Sequence, residues 1–444
     1  MKKVYIIIVL LAGFATSASA QKKWTLKECV DYALENNIAI KQAQLDRQNT
    51  ELDKSDAKGN FLPTANVSFS HSWNIGLNQN QLTGLFETAT TQSSSGNLNV
   101  GVDIFNGLQN INRLHRANLS ILANQYQLDD IKDNTSLQVV QSFLQILFNK
   151  ESLKVLKAQY QVTIDELKRT NELVKEGVLP RGDALEIEAN AATQEQQIVN
   201  AENNLRLSKI ALAQLLLLND YETFDIAEGD YMIPPTTIMN NTPRQIFEKS
   251  LEVRNDVKIS EANIELAEYD LKIAKGTKLP SLSAFYSFNT TYFQSELALF
   301  TIPFSEQISD NKRHSFGLQL NIPILNGFRS RNNVRRSKVN IERAKFNLEQ
   351  TKIDLEATVN QAYSDTKGAL KAYEAAEKVL VARREAHKNS TNRFNEGMMN
   401  SFDFSQSKQR LEAAESDLVR AKYDYIFRLK ILEFYFGLPL TDFK

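Results

Sequence analysis

The sequence predicts a mainly α chain with a β-barrel part: long coiled-coil-like helical hairpins plus four strands per chain. Three observations carry this. Residues 108–176 contain no Gly or Pro, a run far longer than an ordinary globular helix, and would reach roughly 100 Å at about 1.5 Å per residue. Within it Val139, Ile146, Leu153, Tyr160, Leu167 and Val174 recur at sevens, the period that holds one seam against neighbouring helices. Residues 328–396 repeat the object, interrupted only by Gly368, with Ile341, Leu348, Leu355, Ala362, Ala369 and Ala376 at sevens. Between these rods the hydrophobic period changes from 3.6 to 2 in four stretches, so an internal duplication carries one hairpin in each half.

The first residues read as an export signal. Lys2 and Lys3 precede an apolar run from Val4 to Phe14, and Ala18, Ser19 and Ala20 place small residues where a signal peptidase reads. The residue after the expected cut is Gln21 and the single cysteine is Cys29, so neither a lipoprotein anchor nor an internal disulfide is expected. The net charge of −1 becomes −3 when Lys2 and Lys3 leave with the signal. That near-balance, with export, argues against nucleic acid as a partner. No later apolar run reaches the length of a membrane-spanning helix.

In chain order, Thr25 with Glu28 forms a capping box opening a helix from Thr25 to about Gly59, and Leu62 and Pro63 end it. From Thr64, Ala65, Val67, Phe69, Trp73 and Ile75 alternate with Asn66, Ser68, Ser70, Ser72 and Asn74. A polar loop over 77–96 follows, and Leu98, Val100, Val102 and Ile104 resume the alternation, giving hairpin 64–105. The first rod (108–176) stops at Gly177 and Pro180, and an alanine-rich helix returns over 183–218. Residues 219–241, with Pro234 and Pro235, read as an irregular connector. The second half repeats the order: a helix from Thr242 to about Lys275, hairpin 281–324, rod 328–396 and return helix 400–436, leaving a tail at 437–444. The tetrapeptide Ile104, Phe105, Asn106, Gly107 recurs as Ile324, Leu325, Asn326, Gly327 and the tip Glu176, Gly177 as Glu396, Gly397, both at an offset of 220. The first repeat thus covers 21–218 and the second 242–436.

Four strands cannot close a membrane barrel, and a hairpin with one apolar face is unstable alone. Other copies are therefore expected to complete the sheet, and three copies give twelve strands. Faces rich in Asn, Ser, Thr and Gln suit a wet lumen, while Trp73, Tyr286, Phe288 and Tyr292 suit bilayer interfaces. A soluble sandwich or a crossed pair of hairpins is the alternative arrangement, and an exported coiled-coil scaffold or adhesin without a pore is the alternative function.

The duplicated order of helix, hairpin, long helix and return helix, the strand exits Ile104–Gly107 and Pro323–Gly327, and the paired hairpin tips together resemble the TolC-like outer-membrane efflux protein family over essentially the whole chain after residue 20. The resemblance implies an outer-membrane homotrimer of a Gram-negative-type bacterium whose helical tunnel lies in the periplasm. It implies, as partners, outer-membrane lipid, a periplasmic adaptor (membrane fusion protein) and an inner-membrane efflux or secretion transporter. Both tips show Gly followed six residues later by Asp: Gly177 with Asp183 and Gly397 with Asp403. Each carboxylate can simply cap the first turn of a return helix. The resemblance implies instead that Asp403, with Asp183, contributes to a periplasmic gate and selectivity ring. The family's second aspartate falls on Gln406 and its bracing Arg on Met399, so this chain departs from the pattern there. Gly177, Val178, Leu179, Gly397, Met398 and Met399 are the expected adaptor-contact tips, where soft methionines suit an adaptable surface.

His71, His115, His314 and His387 lack metal-ligand spacing, and the acidic stretch Asp220, Glu222, Asp225, Glu228, Asp230 lacks that of a calcium loop. Arg329, Arg331, Arg335, Arg336 and Lys338 form a basic cluster opening the second rod, read as a wet face near the membrane. No nucleophile motif, phosphate loop or Cys/His pair is present. The expectation is a passive conduit with no cofactor and no enzymatic activity.

Overall fold

A computed structural model describes residues 23–80, 82–219, 221–227, 237–298 and 300–440. The expected signal at 1–20, and Asp220, Glu228, Asp230, Pro234 and Pro235, lie outside the described residues. The elements are β1 (Lys23–Trp24), α1 (Leu26–Asn36), α2 (Ile38–Gly59), β2 (Thr64–Gln79), β3 (Phe86–Asn106), α3 (Gln109–Lys175), α4 (Arg181–Leu215), β4 (Asp225–Ile226), a single 3-10 turn (Ile238–Asn240), α5 (Pro243–Val253), α6 (Asn255–Gly276), β5 (Ser281–Ser295), α7 (Phe304–Asp310), β6 (Arg313–Asn321), α8 (Arg329–Asn395) and α9 (Ser401–Phe436).

Each rod is one helix of 67 residues, and the residues at sevens are all buried or half-buried. The Thr25–Glu28 capping box is present, and Thr242 with Gln245 repeats it. The helices opening each half, however, are not continuous. Asn37 (φ −58°, ψ 133°) separates α1 from α2, and Arg254 (φ −69°, ψ 130°) separates α5 from α6. The Asn37 side-chain oxygen accepts from the Ala39 amide at 2.8 Å, restarting the helix as an N-cap does. At the second break the buried Arg254 guanidinium lies 3.2 Å from Asp130 and 4.6 Å from the Phe434 ring centroid. A one-residue break leaves the apolar spacing almost in phase, so periodicity alone does not show it.

The loop expected over 77–96 is shorter than its polarity suggests. The first hairpin turns within residues 80–85, because the Ser/Thr run of β3 pairs in register with β2. Hydroxyls bridge that pairing at Ser70–Ser95 (2.7 Å) and Ser72–Ser93 (2.8 Å). In the second hairpin α7 occupies part of the loop. Gln307 clasps the Phe293 backbone, accepting from its N–H at 3.0 Å and donating to its C=O at 3.0 Å, so α7 occupies the β5 edge beyond the end of β6. The connector also contributes β4, which pairs parallel with β1.

The chain divides into two compact units: Met1–Gln44, Leu128–Asn255 and Thr351–Lys444 form one, Leu45–Gln127 and Asp256–Gln350 the other. The first is packed around Val139, Phe143, Ile146, Leu212, Leu216, Ile226 and Ile426, all at 1% exposure or less, each contributing about 1.5–3 kcal/mol of burial. In the second, β2, β3, β5 and β6 form one antiparallel sheet in that order. The register aligns Val67, Leu98 and Phe288, then Ala65, Val100, Tyr286 and Phe316, then Val102, Ala284 and Leu318 on one face. Asn66, Asn99, Ser287 and Ser315 align on the other. Much of the apolar face is bare: Phe69 is 84% exposed, Ile75 78% and Phe316 83%, which a protein surrounded by water rarely tolerates over a contiguous area.

The helices of this unit follow the same order as the strands. Asn110 of α3 donates to the Asn60 carbonyl at the end of α2, Arg116 of α3 pairs with Asp270 of α6 at 2.6 Å, and Ser330 of α8 meets Thr277, just past α6, at 3.2 Å. Thus β2 with α2 lies at one edge and β6 with α8 at the other. Among the described residues neither edge strand has a further strand partner.

Candidate functional site: the helical hairpin tips

The two tips are built alike. Gly177 (φ 75°) and Gly397 (φ 72°) take the left-handed conformation that ends a helix without a Cβ penalty. The Val178 amide donates to the Leu173 carbonyl and that of Gly177 to Val174. The Met398 amide donates to Arg393 and that of Gly397 to Phe394, all at 2.8–3.0 Å, which is the Schellman arrangement in both halves. It turns Val178 (65% exposed) and Met398 (59%) outward, whereas Leu179 and Met399 are half-buried.

The two aspartates do different things. Asp183 is half-buried and accepts from the Ser401 hydroxyl at 2.7 Å, tying the first return helix to the start of the second; Pro180, at the N-cap of α4, offers no side-chain cap. Asp403 is exposed and closes a reciprocal pair. Its amide donates to Asn400 Oδ1 at 2.8 Å, and Asn400 Nδ2 donates to Asp403 Oδ2 at 2.9 Å. A cap of this kind is worth about 1 kcal/mol. Phe394 and Phe404 stack behind it at 4.5 Å.

Behind the tips, where α3, α4 and α9 meet, lies a polar cluster that the sequence reading did not single out. Lys408 is 9% exposed and donates to Glu166 at 2.6 Å and to the Thr163 hydroxyl at 3.0 Å. Gln159 donates to the Glu412 carbonyl and the Glu415 carboxylate, both at 3.1 Å, and Gln194 donates to the Glu412 carboxylate at 3.1 Å. These groups line or border a cavity of about 310 Å³. The one sequence signal for it is a lysine in the apolar stripe of α9, between Phe404 and Leu411.

Burial pushes Glu412 above the usual carboxylate range, and burial with the Lys408 ammonium nearby holds His387 below the usual imidazole range. The signs oppose. Folded-state proton affinity at Glu412 contributes stability below pH 4.5, lost as pH rises through the raised value. The His387 contribution is present above pH 6.5 and lost as pH falls through the lowered one. Glu412→Gln, which keeps an acceptor for Gln194, is therefore expected to raise the melting temperature at pH 7.5. Below pH 4.5 the gain should vanish, and circular dichroism melts at the two pH values check this.

Among the described residues no group of three or more His, Cys, Asp or Glu could hold a metal ion, and no helix is long and apolar enough to cross a membrane.

Comparison with known proteins agrees with this architecture. The sequence pattern of the family described as "Outer membrane efflux protein" matches residues 29–216 and 246–437, one stretch in each repeat. Outer membrane efflux protein BepC of Brucella suis biovar 1 (strain 1330) is 19% identical over 427 residues, covering 96% of this chain and 88% of that protein. A crystal structure of a Pseudomonas aeruginosa membrane protein superimposes with a TM-score of 0.77 at 17% identity, over 93% of this chain and 92% of that one. The outer membrane protein VceC of Vibrio cholerae superimposes with a TM-score of 0.76 at 14% identity, over 94% of this chain and 96% of that one. The protein therefore belongs to the outer membrane efflux protein family.

Proposed function

We propose that three copies of this chain close into one outer-membrane duct that passively conducts substrates handed over by a periplasmic adaptor and an inner-membrane transporter. The carrying observation is the sheet. Its order runs β2, β3, β5, β6 with every pair antiparallel, so β6 of one copy runs antiparallel to β2 of the next. Twelve strands then continue around without an edge. The Val67–Phe316 face turns to lipid and the Asn66–Ser315 face to a wet lumen. Export through the signal at 1–20 delivers the chain to the periplasm for this assembly.

The hairpin tips are the adaptor-contact surface in this reading, because Val178 and Met398 are apolar, outward and presented by two identical turns. Val178→Glu combined with Met398→Glu is expected to abolish transport, measured as drug or dye efflux in cells, while oligomers still reach the membrane. Normal efflux would remove the tips from the docking surface. Asp403 lies at the same end, and three copies would place three carboxylates around the mouth. Asp403→Ala is expected to weaken cation preference in planar-bilayer conductance, whereas unchanged selectivity would leave Asp403 as a cap alone.

A further inference from the structure

We propose that the outer face of α8 docks on the outer face of α2 of the next copy, through matched apolar and charged rows that fix the direction and height of the contact. This rests on the cyclic assembly proposed above and assigns its helical seam.

The two edge helices of the sheet-bearing unit carry bare apolar rows at sevens. Within that unit these are Leu45 and Leu52 on α2, at 58% and 64% exposure, and Val339 and Phe346 on α8, at 67% and 71%; Ile38 and Ile353 continue the same rows beyond it. Each row lies opposite its helix's buried side, marked by Ile40, Ala43 and Ala57 on α2 and by Val334 and Ile341 on α8. A seven-residue apolar repeat in water is the signature of a helix awaiting a neighbour.

Charge selects that neighbour. Asp46, Asp53 and Asp56 are exposed beside the α2 row, and Arg329, Arg336 and Arg343 are exposed, at sevens, beside the α8 row. The ion pairs on these stretches are Arg47–Glu51 and Lys345–Glu342, and neither row takes part. Arg329 also opens a helix whose first turn carries no acidic residue, an end whose dipole disfavours cations. Arg336 donates to the side chain of Asn333 on its own helix, and carboxylates from a neighbouring helix would offset the charge that the three arginines share.

Helical geometry fixes the direction. At about 100° per residue, both charged rows lie on the same rotational side of their apolar rows. Antiparallel docking therefore brings aspartates against arginines on one flank, while parallel docking would put them on opposite flanks. The chain runs toward the sheet in α2 and away from it in α8, so neighbouring copies meet antiparallel. Leu52 stands seven residues before the end of α2 at Gly59 and Val339 ten after the start of α8 at Arg329, which agree in height within about one turn. Arg331, Arg335 and Lys338 fall on the other flank, where α2 presents Gln44, Gln48 and Ser55.

The test is cross-linking of Leu52→Cys paired with Val339→Cys in native outer membranes by a short bis-maleimide; Cys29 is fully buried and stays. The expected result is loss of the monomer band to covalent dimers and trimers in the double variant, with neither single variant giving a ladder. As a second arm, Asp53→Arg and Arg336→Asp should each reduce the detergent-resistant oligomer, and their combination should restore it. No ladder and no charge effect, with the unheated oligomer intact, would overturn this seam while leaving the assembly standing. A monomer in the unmodified protein would overturn both.

Discussion

Gly276→Ala is expected to cost the protein its assembled state, while Gly59→Ala, the same substitution at the matching helix end of the first repeat, is expected to be neutral or slightly stabilising. A Cβ on Gly276 would stand 2.5 Å from the Gly107 carbonyl oxygen, and one on Gly107 would stand 2.3 Å from that of Gly276. Both obstacles are backbone, at the point where β3 passes into the first rod, so no side chain can swing away. Gly107 also needs its φ of 66° to make that passage. Overpacking against backbone costs about 3 kcal/mol, and the error falls where strand and rod are aligned. Around Gly59 nothing lies within 4 Å of the added carbon, and Gly-to-Ala exchange in a helix is favourable by about 0.5–1 kcal/mol. The yield of detergent-resistant oligomer in purified membranes separates the two variants.

Lys408→Met is expected to destabilise the tip-proximal helices by about 3 kcal/mol, because breaking one side of a buried pair leaves its partner uncompensated. Glu166, at 23% side-chain exposure, would lose its ammonium while Glu412 and Glu415 remain close by. The double variant Lys408→Met with Glu166→Met removes both charges and is expected to recover most of the loss. Hydrogen exchange on α9 reads this locally. Faster exchange in the single variant and near-normal protection in the double variant is the expected pattern.

The parts of this architecture legible in the sequence are those written as periodicities. Val139 to Val174 and Ile341 to Ala376 announce the two rods because a seven-residue spacing has no other economical use. Val67, Phe69, Trp73 and Ile75 announce a strand because only a period of two puts them on one face. The tips were legible through Gly177 and Gly397, whose left-handed backbone the Schellman turn requires. What escaped are features carried by single residues in three dimensions. Asn37 and Arg254 interrupt helices without shifting the hydrophobic phase. Gln307 replaces a strand partner with one side-chain amide, which no spacing rule reads. Lys408 carries no signal of its role in one dimension, because its ion pair with Glu166 depends on α3 lying against α9. The aspartates of the tips share one sequence spacing yet differ in role, since Asp183 bonds across to Ser401 and Asp403 bonds back to Asn400. The arginines at the start of the second rod read from the sequence as a wet face near the membrane; the proposed seam would give Arg329, Arg336 and Arg343 the aspartates of a neighbouring α2 instead.

The central claim is that one copy leaves its sheet open and three copies close it. Native mass spectrometry of the protein extracted from outer membranes in mild detergent measures this most directly. The account predicts one species at three times the mass of the signal-cleaved chain, collapsing to the single chain on heating. A monodisperse single chain that stays in solution without detergent would contradict it.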